Sequence, residues 1–179
     1  MKPKLLFHIC CAPCSGWLSR QLSKNYQLVI YFDNPNIWPF EEFNKRANEA
    51  QKFFAAESES IEFILADWNH QEWSQFVTGL EQEPERGKRC KLCYYYRLEK
   101  AGKYAADHGF EYFTTSLSFS PYKDQRAVIY LGRSVAKKYQ LHFIDDNFRL
   151  NDNWRQALNF SKEQGFYRQK YCGCEFTKK

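Results

Sequence analysis

Short apolar runs alternate along the chain with longer segments in which apolar residues recur every three or four positions. The short runs predict buried strands, and the longer segments predict amphipathic helices. In one such segment Phe43, Ala47, Ala50 and Phe54 recur at helical spacing. The predicted strands are 4–9, 27–32, 61–65, 112–117 and 140–144. The predicted helices are 12–23, 39–56, 67–80, 90–108, 121–139 and 153–164.

Strands that alternate with helices favour a mostly parallel sheet flanked by helices. We therefore predict one α/β domain over residues 1–179. In such sheets ligands bind outside the carboxyl ends of the strands. Cys10 follows the first predicted strand, and Asp33 follows the second. Since helix N-termini stabilise anions, thiolates included, the cysteines that open the first helix are candidate ligands.

The composition excludes several classes of protein. Hydrophobic residues make up 44% of the 179 residues and charged residues 26%, which is ordinary for a globular chain. The apolar runs are too short to span a membrane, and the first one is too short for a signal peptide. We predict a cytoplasmic protein without a membrane partner. The net charge of +5 is compatible with a polyanionic partner but does not identify one.

Cysteine is the most informative residue type. The seven cysteines bunch into the patterns C-C-x-x-C, C-x-x-C and C-x-C. An odd count without an export signal argues against a secreted disulfide framework, and clustered thiols in a reducing compartment indicate metal ligands or redox chemistry. The spacing alone favours an iron–sulfur cluster. A zinc site, for which Cys90 and Cys93 have the typical spacing, and thiol redox chemistry remain alternatives.

Six motifs occur in order between residues 8 and 174. They are His8-Ile-Cys-Cys-Ala-Pro-Cys14, Asn34-Pro-Asn36, Arg89-Cys-x-x-Cys-Tyr-x-x-Arg-Leu98, Phe113-Thr-Thr115, Ser120-Pro-Tyr122 and Tyr167-Arg-Gln-Lys-Tyr-Cys-Gly-Cys174. Together they resemble the QueH-type epoxyqueuosine reductase family. A lone C-x-x-C would be weak evidence, but the ordered combination and its long final string are specific.

The resemblance implies an activity and its partners. The implied reaction is the two-electron, cobalamin-independent reduction of the epoxide in epoxyqueuosine to the cyclopentene of queuosine, the last step of queuosine biosynthesis. The implied substrate is the wobble nucleoside of tRNAs with a GUN anticodon, which carry aspartate, asparagine, histidine or tyrosine. The implied cofactors are a [4Fe-4S] cluster and an additional iron ion beside it. The electron donor is not identified by the sequence.

The resemblance also implies a fold, an α/β sheet related to the adenine-nucleotide α-hydrolase-like (HUP) group. Members of that group that bind ATP carry a glycine-rich phosphate loop. Residues 8–15 occupy the matching place in this chain and contain no glycine. We therefore predict no ATP binding.

Roles for the cysteines follow from the resemblance, because spacing cannot decide which thiols share a cluster. The implied ligands of the [4Fe-4S] cluster are Cys10, Cys11, Cys90 and Cys93. Cys172 and Cys174 are the implied redox-active dithiol, and a disulfide in a C-x-C pair is strained and easily reduced. Cys14 is left unassigned: it is a candidate ligand of the additional iron, alone or with Cys172 or Cys174, and inert packing is the alternative.

Removal of the epoxide oxygen as water requires a proton donor. The candidates are His8, Asp33, Tyr122 and the thiols of Cys172 and Cys174. A histidine at a strand end is also typical of a hydrogen-bonded core residue, and Asp33-Asn-Pro-Asn36 is also typical of a simple turn.

RNA recognition requires cations for the phosphates and aromatic rings for the bases. The predicted substrate and tRNA contacts are Asn34, Asn36, Arg89, Tyr122, Arg168 and Lys170. Further candidates are the cations Arg97, Lys123, Arg126 and Arg149 and the aromatic residues Trp38, Tyr94 and Tyr167. Most such residues are solvated charges or core aromatics, so the pair nearest the C-x-C motif, Arg168 and Lys170, is favoured. A zinc-stabilised nucleic-acid-binding module and a thiol–disulfide oxidoreductase remain as alternative functions.

Overall fold

The computed structural model describes residues 2–58, 61–146 and 152–177. Within these ranges strands and helices alternate along the chain. The strands are β1 (Lys4–His8), β2 (Gln27–Phe32), β3 (Glu62–Leu65), β4 (Tyr112–Thr115) and β5 (His142–Phe143). The helices are α1 (Ala12–Leu22), α2 (Phe40–Glu57), α3 (His70–Phe76), α4 (Lys88–Asp107), α5 (Gln125–Tyr139) and α6 (Asn153–Glu163). Short 3₁₀ turns cover Ser116–Ser118 and Glu175–Thr177.

The five strands form one sheet in the order β3-β2-β1-β4-β5, and every pair is parallel. Leu6 of β1 lies between Val29 of β2 and Phe113 of β4. The strand order reverses between β1 and β4, which makes their carboxyl ends the topological switch point where ligands of such sheets bind. The predicted α/β class with a parallel sheet is confirmed.

Both faces of the sheet are covered by helices, and β1 alternates between them. Leu5 and Phe7 point to the face packed by α1, α2 and α6, whereas Leu6 points to the face packed by α4 and α5. All three side chains are fully buried. A strand buried on both faces reads as a continuous apolar run, which is why the sequence predicts β1 clearly.

Side-chain caps place two helix starts later than the pattern predicts. The carboxylate of Asp124 accepts a hydrogen bond from the Ala127 amide at 3.1 Å, so α5 begins at residue 125 rather than 121. The side chain of Asn69 accepts one from the Glu72 amide at 3.3 Å, so α3 begins at residue 70 rather than 67. Both residues are of types that favour the N-cap position.

In the parts of the chain that the structure describes, no helix combines the length and the apolar character that crossing a membrane requires.

Candidate redox site at the carboxyl edge of the sheet

The first thiol group lies at the carboxyl end of β1. Cys11 is the N-cap residue of α1, and Cys14 lies within the first turn of that helix. The sulfur atoms of Cys10, Cys11 and Cys14 all lie within 4.8 Å of one another, and among the described residues these are the side chains that could together hold a metal ion. The Cys10 amide donates a hydrogen bond to Ser116 Oγ (3.2 Å), which joins β1 to β4 at the switch point.

Hydrogen bonds within this group favour one thiolate. The thiols of Cys11 and Cys14 hold the pKa of Cys10 well below its usual range, and the Ser116 hydroxyl, 3.6 Å from Cys10 Sγ, acts in the same direction. The same bonds raise the pKa values of Cys11 and Cys14. Gln169 donates a hydrogen bond to Cys11 Sγ at 3.2 Å, so the C-terminal segment reaches this group directly.

A second thiol group combines the start of α4 with the C-terminal segment. Cys90, Cys93, Cys172 and Cys174 line one small cavity of about 20 Å³. The Cys174 amide donates to Cys172 Sγ at 3.4 Å, and the Arg86 amide donates to Cys90 Sγ at 3.2 Å. The hydrogen bond from the Cys174 thiol lowers the pKa of Cys172 well below its ordinary value, whereas burial raises the pKa of Cys93.

The lining of this cavity is rich in cations and contains no carboxylate among its described residues. Arg89, Arg97 and Lys123 line it beside the four thiols. Arg89 and Arg97 are buried, and the Nε atom of each has no hydrogen-bond partner within the described part of the chain. A buried cation needs a compensating anion. The lining therefore fits thiolates, alone or bound to a metal or cluster.

The C-terminal segment is held in place by α2. Arg46, whose side chain is 1% exposed, donates a hydrogen bond to the Cys172 carbonyl at 3.1 Å and forms an ion pair with Glu42 at 2.7 Å. The Trp38 amide donates to the Gly173 carbonyl at 2.9 Å. Sequence reasoning missed Arg46. The available signal was an arginine on the otherwise apolar face of the predicted helix.

A larger cavity of about 540 Å³ opens beside both thiol groups. Its volume lies in the range of small-molecule sites and suits a ligand of nucleotide size. The predicted site residues in its lining are Cys10, Cys14, Tyr122, Arg168, Lys170 and Cys172. The structure thus brings three of the cysteines together with the favoured RNA contacts.

His8 and Asp33 lie fully buried and line neither of these two cavities. His8 Nδ1 lies 2.7 Å from Thr115 Oγ1, and burial lowers the pKa of His8 to about 3, so its imidazole is neutral. Asp33 accepts a hydrogen bond from the Tyr31 hydroxyl at 3.0 Å and pairs with Lys100 at 3.2 Å, while burial raises its pKa. Their catalytic roles stay predictions.

Other predicted contacts support the site from inside. Asn34 donates to the Ile9 carbonyl at 2.9 Å and accepts a hydrogen bond from Arg97, so both ends of its amide are engaged. Asn36 lines the small cavity together with Arg89, which also donates to three carbonyls of the preceding loop at 2.6–3.0 Å. Contact of these side chains with substrate stays a prediction.

The remaining RNA candidates differ in exposure. The exposed candidates are Trp38, Tyr122, Arg126, Arg168 and Lys170. The partly buried candidates are Lys123 and Tyr167, and the buried ones are Tyr94, Arg89 and Arg97. Arg149 lies outside the described residues. Buried side chains cannot reach RNA phosphates, so the exposed set is the one available for that contact.

A doubly wound parallel sheet with clustered thiols at its switch point defines an α/β protein with a thiol-based redox or metal centre. The family model described as "Epoxyqueuosine reductase QueH" matches residues 5–179. The chain therefore belongs to the QueH family and is an oxidoreductase, as the sequence motifs predict.

Relatives named epoxyqueuosine reductase QueH cover nearly the whole chain. The protein from Haemophilus influenzae is 42% identical over 97% of this chain and 71% of its own length. The protein from Streptococcus pyogenes serotype M1 is 36% identical over 100% of this chain and 72% of its own. The protein from Thermotoga maritima is 32% identical over 97% of this chain and 89% of its own length.

A solved structure also shares the fold. It is described as a predicted subunit of tRNA methyltransferase from Methanocaldococcus jannaschii, and it superposes with a TM-score of 0.58 over 87% of this chain and 74% of its own. The two sequences are 12% identical, so this likeness concerns the fold alone.

Proposed function

We propose that the protein reduces the epoxide of epoxyqueuosine in tRNA to the alkene of queuosine, with loss of water. The observation that carries the proposal is the meeting of two thiol groups beside a cavity of nucleotide size. Family membership supports the reaction and the RNA substrate. We further propose that the target is the wobble nucleoside of tRNAs with a GUN anticodon. In this proposal the enzyme works in the cytoplasm without cobalamin or ATP.

For the cofactor we propose a [4Fe-4S] cluster held by Cys10, Cys11, Cys90 and Cys93, two thiols from the start of each of α1 and α4. Support comes from the all-thiol donor set and from the buried cations, which offset the negative charge of thiolates. Such a cluster supplies electrons one at a time. Cys14, close to Cys10 and Cys11, is the proposed ligand of an additional iron ion.

Cys172 and Cys174 form the proposed redox-active dithiol. When a dithiol closes to a disulfide it releases two electrons and two protons, which is what epoxide reduction to an alkene and water consumes. Cys172 lies in the lining of both cavities, so this pair of cysteines borders the thiol group on α4 and the space proposed for the substrate. An external electron donor must then reduce the disulfide after each turnover.

The substrate nucleoside is proposed to occupy the larger cavity. Tyr122 is 68% exposed there and its ring meets the Trp154 ring edge-on, with centroids 6.4 Å apart. Aromatic rings of this kind stack on unpaired RNA bases. Arg168 and Lys170 are exposed in the same lining and are the proposed phosphate contacts.

The activity is tested with anaerobically purified protein, reduced by sodium dithionite and mixed with tRNA from a strain that accumulates epoxyqueuosine. Nucleosides from the digested tRNA are then analysed by mass spectrometry. We expect epoxyqueuosine to be replaced by a product lighter by one oxygen atom. An iron-loaded, reduced protein that leaves epoxyqueuosine unchanged would contradict the proposed function.

The ligand set is tested by comparing Cys90→Ser with Cys14→Ser. If Cys10, Cys11, Cys90 and Cys93 hold the cluster, Cys90→Ser loses the broad visible absorption and most of the iron, whereas Cys14→Ser keeps the absorption and loses at most the additional iron. The opposite result would put Cys14 in the ligand set of the cluster in place of Cys90. Both substitutions exchange one sulfur for oxygen, so each serves as the control for the other.

A further inference from the structure

Lys123 lies where the two cavities meet. Among the described residues that line them, only Lys123 and Cys172 belong to both cavities. Arg89 and Arg97 line the small thiol cavity alone, and Arg168 and Lys170 line the larger cavity alone. Lys123 is therefore the cation that borders both the thiols on α4 and the space proposed for the substrate.

The backbone around Lys123 is fixed from three directions. Its amide donates to the Ser120 carbonyl at 3.3 Å, and the next residue, Asp124, caps α5. The Arg86 side chain donates to the carbonyls of Pro121 and Tyr122 at 3.0 and 3.3 Å. These bonds tie the segment to the loop before α4, so the backbone that carries the Lys123 side chain is a short, well-anchored turn.

The surroundings of Lys123 favour its charged form. Burial by itself would lower the pKa of Lys123, but nearby negative charge, foremost that of the Cys172 sulfur, outweighs that effect and raises it. The charge of Cys10 acts in the same direction and that of Arg97 acts against it. A partly buried ammonium beside sulfur atoms is a strong electrostatic group, because water screens it little.

We propose that Lys123 is a catalytic residue whose ammonium group donates a hydrogen bond to the epoxide oxygen of the substrate. This inference rests on the proposed function. As the ring opens, both carbon–oxygen bonds break and a carbon–carbon double bond forms. The oxygen takes up two protons and leaves as water, and the proposed Cys172–Cys174 dithiol supplies both protons and both electrons as it closes to a disulfide. Negative charge develops on that oxygen, and Lys123 stabilises it.

The test compares Lys123→Met and Lys123→Arg with the wild type, using dithionite as the electron donor and rates expressed per iron-loaded enzyme. Removing a single donor to a developing oxyanion costs about 10²–10³-fold in kcat. We expect a loss of about this size for Lys123→Met, with the KM for tRNA and the salt dependence of binding unchanged. Lys123→Arg keeps the charge and recovers part of the rate. Lys137→Met, an exposed lysine on α5, is the matched control and retains full activity.

Two results would overturn the inference. If Lys123 contacts an RNA phosphate instead, Lys123→Met weakens tRNA binding and lowers its salt dependence by about one unit of slope while kcat stays the same. If Lys123→Met matches the wild type in both measurements, the residue has no part in the reaction. Should Lys123→Met fail to fold, Lys123→Gln carries the same prediction. An inactive wild type would instead count against the proposed function itself.

Discussion

At the scale of single residues, the C-terminal cysteines depend on a few buried contacts that come from distant parts of the chain. Arg46 donates to the Cys172 carbonyl across 126 positions of sequence, and its charge is balanced by Glu42 one helical turn away. Gly173, between the two cysteines, has a φ of +109°, in the region that favours glycine. The position of the two C-terminal cysteines is thus set by an arginine, a glutamate and a glycine from other parts of the chain and from between them.

Arg46→Met is expected to lower the free energy of unfolding by about 3 kcal/mol or more, because it removes the positive charge that pairs with Glu42 and the bond to Cys172. Urea unfolding measures the change. Arg20→Met is the control, since Arg20 forms an ion pair with Glu57 while 49% exposed. A pair of that kind contributes about 1 kcal/mol or less. Equal losses in the two variants would contradict the anchoring role of Arg46.

Gly173→Ala is expected to be destabilising by about 1–3 kcal/mol and to slow epoxide reduction. The added Cβ would lie 2.9 Å from Ile37 Cγ1 and 3.1 Å from Arg46 Nη1, at a φ that alanine rarely adopts. Gly109→Ala isolates the conformational part, because Gly109 also has a positive φ but no heavy atom lies within 4 Å of its Cβ position. We expect Gly109→Ala to cost about 1 kcal/mol and to leave the reduction rate unchanged.

The sequence identifies reactive residues such as the cysteines by their type. It does not identify residues whose role depends on contacts that form only when the chain folds. Clustered thiols stand out by composition, so the cysteines could be selected directly. Arg46 could not, because its partner carbonyls belong to a segment more than a hundred residues away. Lys123 was one of several candidate cations, and only the shape of the two cavities distinguishes it.

At the scale of secondary-structure elements, the site depends on how closely α4 and α5 pack on one face of the sheet. Gly102 on α4 faces Val135 on α5, and a Cβ at residue 102 would lie 2.3 Å from Val135 Cγ1. Glycine costs about 1 kcal/mol relative to alanine inside a helix. Gly102 is a poor helix former, but it lets α4, which carries Cys90 and Cys93, pack closely against α5, which follows the turn that carries Lys123.

Gly102→Ala is therefore expected to destabilise the protein by about 1–2 kcal/mol, although alanine is the better helix former, because overpacking outweighs the gain in helix propensity. Adding Val135→Ala removes the nearest atom, so the double variant is expected to be more stable than the sum of the single changes predicts. A double-mutant cycle by urea unfolding measures this coupling. Additive effects would show that the two helices do not restrict each other at this contact.

The elements themselves were largely predictable, because hydrophobic periodicity and strand–helix alternation are local signals. All five strands and six helices lie where the pattern predicts them, with differences at their ends. The differences have local causes that periodicity does not record, such as the caps at Asn69 and Asp124. The strand β5 is only two residues long, and its His142 and Phe143 pair with Tyr112 and Phe113 of β4.

At the scale of the whole molecule, positive charge matters through its placement more than its amount. The net charge of +5 is modest, yet Arg168 and Lys170 stand exposed in the lining of the larger cavity, next to the C-x-C motif. Lys24, by contrast, lies between α1 and β2, at the amino edge of the sheet and away from the thiols. Composition alone could not distinguish the cations beside the larger cavity from those at the opposite edge of the sheet.

Arg168→Gln and Lys170→Gln are each expected to weaken tRNA binding and to reduce the slope of log affinity against log salt concentration by about one, since each removes one phosphate contact. Lys24→Gln makes the same change in net charge at the opposite edge and is expected to leave the slope unaltered. Binding isotherms at several salt concentrations provide the measurement. A slope that changes equally in all three variants would indicate a general charge effect rather than a defined RNA contact.

The wide separation of the cysteines along the chain has a consequence for biogenesis. Ribosomes release a protein from its amino end, and Cys10 emerges long before Cys172, although Gln169 joins the C-terminal segment directly to Cys11. The contacts that position the C-terminal cysteines can therefore form only after the C-terminal segment has left the ribosome, so this part of the site is completed after the rest of the chain has been made.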